Sequence, residues 1–417
     1  MTGSDVISLA MEARQAALIL QDYPDEQINE AIRTLSRLML SEAGTLLAAN
    51  QQDIQQAEQA KSPQALVDRL TLNASRLQSL ALSVLEVSQM PAPAGRVLSA
   101  GQQPNGLFIE KVACPFGVIA MIYESRPNVT VDAAVLCLKS RNAVILRGGK
   151  EALHTSLAFY HLIAKALEIH HIHPGCVNLI NSDQREKVSQ LLKAEGYIDV
   201  IIPRGGRGLI EFVRDNTHIP VFSHLDGICH TYIHAAATPD MAIKVAVNAK
   251  ARRPGICGAM ETLLIDKRWP DEHTHALITA LIAAGCIIKG DEQIMTIDPR
   301  ILPADESDWG MEYLDMRLSC KMVESLDAAI EHINHFGSHH TDAIITADKS
   351  AAEKFMRCID SGIVMHNVSS QFADGGEFGF GMEIGIATGK LHARGPVGLE
   401  QLCTYKYRVS GDGLIRD

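Results

Sequence analysis

Short apolar runs alternate with amphipathic helical stretches from about residue 118 onward, and this alternation constrains the fold most. A first series predicts strands at 118–123, 143–146, 177–180, 200–202 and 221–222, with helices near 130–139, 151–168, 184–195 and 207–216. A second series predicts strands near 231–234, 261–265, 286–288, 319–323, 342–346 and 362–365, with helices near 240–250, 271–284, 325–335 and 349–359. Such alternation is typical of parallel strands joined by crossover helices. We therefore predict an α/β protein with two doubly wound sheets and a boundary near residue 225.

The first 115 or so residues have a different pattern. Residues 5–90 carry apolar residues at helical spacing, with Pro24-Asp25-Glu26 predicted to start a second helix and Ser62-Pro63 a third. A hairpin is predicted from 96–99 and 107–112, joined by a Gly/Gln/Pro/Asn/Gly turn at 101–106.

Composition excludes several classes of protein. With 47% hydrophobic residues the chain can bury a core, and a net charge of −11 argues against a general nucleic-acid surface. Nine scattered cysteines without a C-x-x-C pair favour a reducing cytoplasm. The amino-terminal pattern does not resemble a signal peptide, and no apolar stretch reaches the ~18 residues of a membrane span. We predict a cytoplasmic protein without membrane or nucleic-acid partners.

Two glycine turns follow predicted strands and precede helices. These are Arg147-Gly148-Gly149-Lys150 and Arg204-Gly205-Gly206-Arg207. Helix amino termini attract anions and glycine lets a phosphate approach the backbone, so the turns predict phosphate or dinucleotide binding. The alternative is a tight turn with solvated cations. A third glycine cluster, at 374–381, is better interpreted as a flexible surface loop.

Cys257 lies in a glycine- and proline-containing loop after Lys250, Arg252 and Arg253. Nearby cations lower the pKa of a thiol, which makes Cys257 a candidate nucleophile, although an inert loop cysteine is the alternative. The other eight cysteines are predicted to be small core residues. The histidines at 170, 171, 173, 335, 339 and 340 are predicted to be solvated, and no metal site is predicted.

Several long motifs occur together in order. They are the segments 123–132, 142–151, 202–206, 224–230, 248–257, 372–381 and 390–400. Over nearly the whole chain they resemble the γ-glutamyl phosphate reductases, a family of the aldehyde dehydrogenase superfamily. The resemblance implies an aldehyde dehydrogenase-like fold in which residues 1–225 form an NADP-binding domain and 226–370 a catalytic domain. Residues 371–398 would return to the cofactor domain and the cleft between domains, where the site would lie. The hairpin 96–113 and the tail 399–417 would form an oligomerisation arm, so a homo-oligomer is expected.

The resemblance also implies a reaction and residue roles. The reaction is NADPH-dependent reduction of L-glutamyl 5-phosphate to L-glutamate 5-semialdehyde and phosphate, the second step of proline biosynthesis, through a thioester on Cys257. Asn128 matches the oxyanion-hole amide, Arg147 a cofactor-binding lysine, and Glu312, more loosely, a carboxylate that holds the nicotinamide ribose. Arg126, His392 and Arg394 are candidates for the substrate's phosphate or α-carboxylate, or alternatively for structural ion pairs. Pathway chemistry adds a possible transient contact with glutamate 5-kinase.

The chain departs from the superfamily pattern at a few positions. His224 stands where hydrolytic aldehyde dehydrogenases carry a water-activating glutamate, which fits a phosphate-linked reaction, and His224 itself is a possible replacement base. Gly255, Gly258 and His366 replace the usual serine, asparagine and apolar or aromatic residue. The rival functions are a hydrolytic, NAD-dependent semialdehyde dehydrogenase and a non-catalytic nucleotide-binding protein. The sequence does not decide whether the cofactor is NADPH or NADH, or whether the protein is a dimer or a tetramer.

Overall fold

The chain folds into two compact units, each made of segments that are not contiguous in the sequence. The computed structural model describes residues 6–182, 184–223 and 225–416. Unit 1 consists of Met1–Ser223, Phe380–Gly385 and Val397–Asp417, and unit 2 of His224–Gly379 and Ile386–Pro396. Among the described helices, none combines the length and the apolar character needed to cross a membrane.

The amino-terminal part of unit 1 is helical, as predicted. Its helices are α1 (Val6–Leu20), α2 (Asp25–Ser41), α3 (Ala43–Gln59), α4 (Gln64–Leu70) and α5 (Ala74–Gln89). Asp25 and Glu26 lie in the first turn of α2, where their negative charges interact favourably with the helix dipole and stabilise the helix. A helix begins directly after Ser62-Pro63, as predicted, but it is the fourth helix rather than the third. The helix is interrupted at Glu42, which separates α2 from α3. The helical spacing of apolar residues continues across this interruption, so the sequence did not indicate that one helix ends and another begins there.

The predicted hairpin and the four-stranded parallel sheet of unit 1 are both present. Strands β1 (Val97–Gln102) and β2 (Phe108–Pro115) pair antiparallel. The sheet contains β3 (Val118–Tyr123), β4 (Ala143–Arg147), β5 (Val177–Leu179) and β6 (Val200–Arg204), in the order β5-β4-β3-β6. The helices between and after these strands are α6 (Asn128–Lys139), α7 (Leu153–Ile169), α8 (Arg185–Leu192) and α9 (Arg207–Asp215). Every residue of the central strand β3 is buried.

The strand predicted at 221–222 is wrong. Val221 makes one isolated bridge to Ile201, and no strand forms there. Pro220 precedes it and has no N–H to donate to a ladder, which limits pairing to this single point.

Unit 2 is built on a seven-stranded parallel sheet. Its strands are β7 (Cys229–Ile233), β8 (Met260–Asp266), β9 (Ile287–Gly290), β10 (Leu302–Pro303), β11 (Arg317–Val323), β12 (Thr341–Ile345) and β13 (Ile363–His366). They are ordered β10-β9-β11-β8-β7-β12-β13. The connecting helices are α10 (Pro239–Ala251), α11 (Asp271–Ala283), α12 (Glu292–Met295), α13 (Leu326–Phe336) and α14 (Lys349–Cys358). The strands and main helices of the second predicted series are thus confirmed.

Three further strands complete the fold. In unit 2, β14 (Ile386–Ala387) and β15 (Gly395–Pro396) form an antiparallel ribbon. In unit 1, β16 (Cys403–Ser410) pairs antiparallel with β2, so that β1, β2 and β16 form one sheet. Tyr405, Tyr407 and Val409 of β16 are exposed.

Candidate active site

Cys257 lies in the loop that joins α10 to β8. Its half-buried side chain packs against an apolar cluster of Ala343, Ile363, Met365, Ala373 and Ile386. The loop is at the amino end of β8, beside the amino end of β7, where Cys229 pairs with Met260. Two adjacent parallel strands therefore fix the position of the loop.

A buried ion pair joins the two ends of this loop. Lys250 Nζ, in the last turn of α10, lies 2.7 Å from Glu261 Oε2 on β8, and both side chains are fully buried. Burial raises the pKa of Glu261 to about 7, against the lowering effect of the Lys250 charge. Lys250 is therefore bound to a carboxylate and is not the free cation that the sequence argument placed near the thiol.

Gly227 and Cys229 contact the backbone of Cys257 from the preceding segment. A Cβ added at Gly227 would lie 2.6 Å from Cys257 Cα and 2.7 Å from its Cβ, so only glycine fits there. The Cys229 Sγ donates to the Cys257 carbonyl oxygen at 3.0 Å. Burial raises the pKa of the Cys229 thiol well above its ordinary value, which keeps it protonated as a donor.

The two glycines that depart from the family pattern differ in their surroundings. A Cβ at Gly255 would meet only the Leu314 carbonyl oxygen, at 3.8 Å, so a larger residue fits there. At Gly258 it would lie 3.1 Å from the Ser370 carbonyl oxygen. The packing around Gly258 is thus suited to glycine.

The loop is also held by Gln371. The Gln371 Nε2 donates hydrogen bonds to the carbonyl oxygens of Ala249 and Arg253.

Glu312 lies against the same glycine segment. Its Oε1 accepts the Gly227 backbone N–H at 2.9 Å, and burial raises the pKa of this half-buried carboxyl. Glu312 and Cys257 are therefore both in contact with Gly227. His224 lies outside the described residues.

The parallel register of unit 1 brings the two predicted glycine turns to one edge of the sheet. Strand β3 lies between β4 and β6, with Ile122 paired to Arg147 and Tyr123 to Arg204. A Cβ at Gly148 would lie 3.1 Å from the Tyr123 ring, so the first turn passes close to the adjacent strand. Both turns thus follow the carboxyl ends of the two strands that flank β3, where α/β sheets bind nucleotides.

The second turn holds both a negative and a positive group. The Glu124 carboxylate accepts the Gly206 backbone N–H at 2.8 Å, at the start of α9. The Arg204 Nε is buried and has no hydrogen-bond partner among the described residues. An anion bound at this helix terminus would compete with Glu124 and would find Arg204 beside it. Lys150, in the first turn, is exposed.

Asn128 begins α6 and is exposed. Its Nδ2 donates to Asp132 Oδ2 at 2.8 Å, one helical turn later. Burial raises the pKa of Asp132 to about 7, although the Asn128 hydrogen bond and the charge of Arg204 lower it. The sequence argument singled out Asn128 and missed Asp132, which the i, i+4 spacing of an amide and a carboxylate could have indicated.

The three substrate-binding candidates lie in different settings. Arg394 Nη1 lies 2.9 Å from Asp360 Oδ1, and its Nη2 donates to the Asp360 carbonyl oxygen, so Arg394 has a structural partner. Arg126, before α6, and His392, in the loop between β14 and β15, are exposed.

Two predictions about histidine and cysteine burial were wrong. His340 is fully buried, because it precedes the first residue of β12 inside the sheet, and its Nδ1 lies 2.9 Å from Thr341 Oγ1. Cys358 is exposed at the end of α14 rather than in the core, and Cys114 is only half-buried. No group of three or more His, Cys, Asp or Glu within the described ranges could hold a metal ion.

The fold is that of the aldehyde dehydrogenases. The crystal structure of propionaldehyde dehydrogenase from Rhodopseudomonas palustris, with bound CoA and an acylated cysteine, matches 98% of this chain and 97% of its own. Its TM-score is 0.71 at 15% sequence identity, which establishes the fold class alone.

Closer similarity identifies the family. The γ-glutamyl phosphate reductase of Rhodopseudomonas palustris strain TIE-1 is 47% identical over 409 residues, 98% of this chain and 95% of that protein. The crystal structure of γ-glutamyl phosphate reductase from Thermotoga maritima matches with a TM-score of 0.96 at 38% identity, covering 99% of this chain and 100% of the other. No protein-family model matches the chain. The chain belongs to the γ-glutamyl phosphate reductase family and is an oxidoreductase.

Proposed function

We propose that the chain catalyses the NADPH-dependent reduction of L-glutamyl 5-phosphate to L-glutamate 5-semialdehyde and phosphate, the second step of proline biosynthesis from glutamate. The observation that carries the proposal is the Cys257 loop, whose ends are joined by the Lys250–Glu261 pair and whose backbone contacts Gly227 and Cys229. Family membership supports the choice of substrate.

Cys257 acts as the nucleophile in this proposal. Its thiolate attacks the acyl carbon of the substrate, the C–O bond to phosphate breaks, and a thioester forms on Sγ. When bound, the reduced nicotinamide supplies the hydride that converts the thioester to a thiohemiacetal. Breaking the C–S bond then releases the aldehyde and returns the thiolate. The Asn128 side-chain amide and the Cys257 backbone N–H stabilise the negative oxygen of each tetrahedral species.

The absence of a carboxylate at position 224 favours phosphate as the partner of the thioester. Hydrolysis of the thioester requires a base that activates water, and the sequence has His224 where hydrolytic relatives have glutamate. A reductase that acts on an acyl phosphate benefits from a thioester that water does not cleave.

The glycine turns of unit 1 fit a nicotinamide dinucleotide. The turns 147–150 and 204–206 lie at the carboxyl ends of the two strands that flank β3, and the buried Arg204 Nε offers a donor. We propose that Arg204, Gly205 and Gly206 hold the pyrophosphate at the start of α9, in place of the Glu124 carboxylate. Gly148, Gly149 and Lys150 would line the ribose and its phosphate beside Arg147, and Glu312 would bind the nicotinamide ribose.

The substrate carries an acyl phosphate at one end and an α-carboxylate at the other. We propose that Arg126 and His392, both exposed, meet these anionic groups. Arg394 would contribute while paired with Asp360, which holds its guanidinium in one orientation.

The experiment that tests the function follows NADP⁺ reduction by glutamate 5-semialdehyde, with and without inorganic phosphate. We expect turnover that requires phosphate, because the thioester must be released by phosphate in this direction. Turnover without phosphate would mean that water is the acceptor and would favour a hydrolytic dehydrogenase. No turnover in either condition would favour a protein that binds nucleotide without catalysis.

Arg147 gives a prediction about cofactor choice. Strand β4 follows β3 along the chain, and in such folds an arginine near the end of the second strand accommodates the 2′-phosphate of NADP. We expect Arg147→Gln to weaken NADPH binding by roughly 10- to 100-fold, the value of a charge-assisted contact, with little effect on NADH. Fluorescence titration of both nucleotides measures this directly.

A charge-matched control uses Lys165→Gln, on the exposed side of α7 near Glu42. It removes one positive charge from unit 1 and is expected to leave both affinities unchanged. Equal weakening of NADPH and NADH by Arg147→Gln would contradict the 2′-phosphate role.

Gly227 gives a prediction about the nucleophile. In Gly227→Ala the new methyl group must push the Cys257 backbone away, and we expect kcat to fall about 100-fold, as for a displacement near 1 Å. Gly255→Ala is the matched control, because its methyl group has room, and it should keep near-normal kcat. Equal activity in the two variants would show that Gly227 does not set the position of Cys257.

Assembly and location are further parts of the proposal. The exposed apolar residues of β16, together with Val97, Leu98 and Phe108 of the hairpin, support an oligomerisation arm and a homo-oligomer. All nine cysteines are free, which supports a reducing cytoplasm. A transient contact with glutamate 5-kinase would protect the labile acyl phosphate.

A further inference from the structure

Asp132 is the hydrogen-bond partner of the Asn128 side chain. The two residues are one turn apart on α6, and Asn128 Nδ2 donates to Asp132 Oδ2 at 2.8 Å. Because the helix backbone fixes this spacing, the contact is set within unit 1. An ionised carboxylate only accepts hydrogen bonds, so Asp132 determines which end of the amide faces it.

The orientation matters because the two ends of an asparagine amide have opposite hydrogen-bonding character. The nitrogen carries two hydrogens and the oxygen only accepts. With one N–H directed at Asp132, the second N–H is available for another acceptor. A flipped amide would instead set its oxygen against Asp132, and like partial charges would repel.

A second group, besides Asn128, lowers the pKa of Asp132 and so favours its negative charge. Burial raises the pKa of this carboxyl to about 7, while the Asn128 hydrogen bond and the charge of Arg204, at the end of β6, lower it. The hydrogen bond and the Arg204 charge therefore both favour the ionised carboxylate. Arg204 belongs to the glycine turn that we assign to the cofactor, so the carboxylate lies near that turn.

We propose that Asp132 is a positioning residue that fixes the Asn128 amide with its nitrogen as the donor, leaving one N–H for the developing oxyanion of the substrate. This assignment rests on the proposed function, because it needs Asn128 to act as the oxyanion donor. Asp132 itself touches neither the substrate nor the reacting sulfur in this assignment.

A double-mutant cycle at pH 8 tests the assignment, using the phosphate-dependent oxidation of glutamate 5-semialdehyde. Asn128→Ala removes the donor and should lower kcat by about 10²- to 10³-fold. Asp132→Asn keeps the shape of the side chain but can donate as well as accept, so the Asn128 amide is no longer held in one orientation. We expect kcat to fall about tenfold in Asp132→Asn, with KM nearly unchanged, as expected for an interaction realised only in the transition state.

The double variant separates positioning from an independent effect. If Asp132 acts only through Asn128, then Asn128→Ala combined with Asp132→Asn should be no slower than Asn128→Ala alone. Asp132→Glu retains an acceptor-only carboxylate and should keep more of kcat than Asp132→Asn. The rate at which iodoacetamide alkylates Cys257 should be the same in every variant, because the nucleophile is unaltered.

Each other outcome has a distinct meaning. Multiplied losses in the double variant, or wild-type kcat in Asp132→Asn, would overturn the positioning role while the proposed function stood. A change in KM with unaltered kcat would also overturn it, because it would place Asp132 in binding. Absence of phosphate-dependent turnover in the unmodified protein would overturn the proposed function, and this assignment with it.

Discussion

Replacing Cys257 by serine is expected to abolish turnover, with kcat falling by about 10⁴-fold or more. A hydroxyl is far less ionised than a thiol near neutral pH, and no base among the residues assigned to the mechanism activates it. The phosphate-dependent oxidation of glutamate 5-semialdehyde measures the loss. Because the substitution changes one atom, the fold should be retained, and thermal unfolding checks this.

Cys358 provides the matched control. It is exposed at the end of α14, so Cys358→Ser should leave kcat unchanged. Iodoacetamide should still label Cys257 in Cys358→Ser, and substrate should protect that cysteine from labelling. Substantial turnover in Cys257→Ser would exclude the thioester on Cys257 and would show that Cys257 is an inert loop cysteine.

The second large effect is expected for Lys250→Met. The substitution leaves the Glu261 carboxylate buried without its cation, and breaking a buried pair in this way costs about 3–5 kcal/mol of the free energy of unfolding. Burial already raises the pKa of Glu261 to about 7, and loss of Lys250 raises this pKa further. The variant can avoid the buried charge by binding a proton, so its stability should fall as pH rises from 6 to 8.

Urea unfolding of both proteins at pH 6 and pH 8 measures this effect. The double variant Lys250→Met with Glu261→Leu replaces both charges by apolar groups and should recover most of the lost stability. If the single variant were as stable as the wild type at pH 8, the ion pair would not hold the loop. A double variant less stable than the single one would contradict the explanation by an unpaired charge.

The positions of the strands along the chain could be predicted well because buried parallel strands have a distinctive sequence. Strand β3 reads Val-Ile-Ala-Met-Ile-Tyr and is buried on both faces, so its apolar run has no polar interruption. Val221 and Phe222 show the limit of this signal, since two apolar residues after Pro220 make only one bridge. Burial of single residues was harder to predict: Cys358 and His340 depend on whether a helix end or a sheet covers them, which local sequence does not encode.

The sequence indicated candidate residues for the proposed chemistry but not the contacts of their side chains. The cations near Cys257 drew attention to this loop, yet Lys250 is paired with Glu261, a residue on the far side of that loop. Gly227 contacts Cys257 from another segment, and nothing in its local sequence indicates this. Contacts between distant segments follow from the strand order of the sheet, and a single sequence read along its length does not provide them.

The pairing of β2 with β16 has a consequence for biosynthesis. Arg408 and Glu110, which bond across this pair, are 298 residues apart, and the whole main body of unit 2 is encoded between them. During translation, the edge of β2 that pairs with β16 therefore stays unpaired until nearly three hundred further residues have been added to the chain. An open strand edge is a template for pairing with other chains, so nascent or truncated molecules that lack β16 should be the aggregation-prone form of this protein.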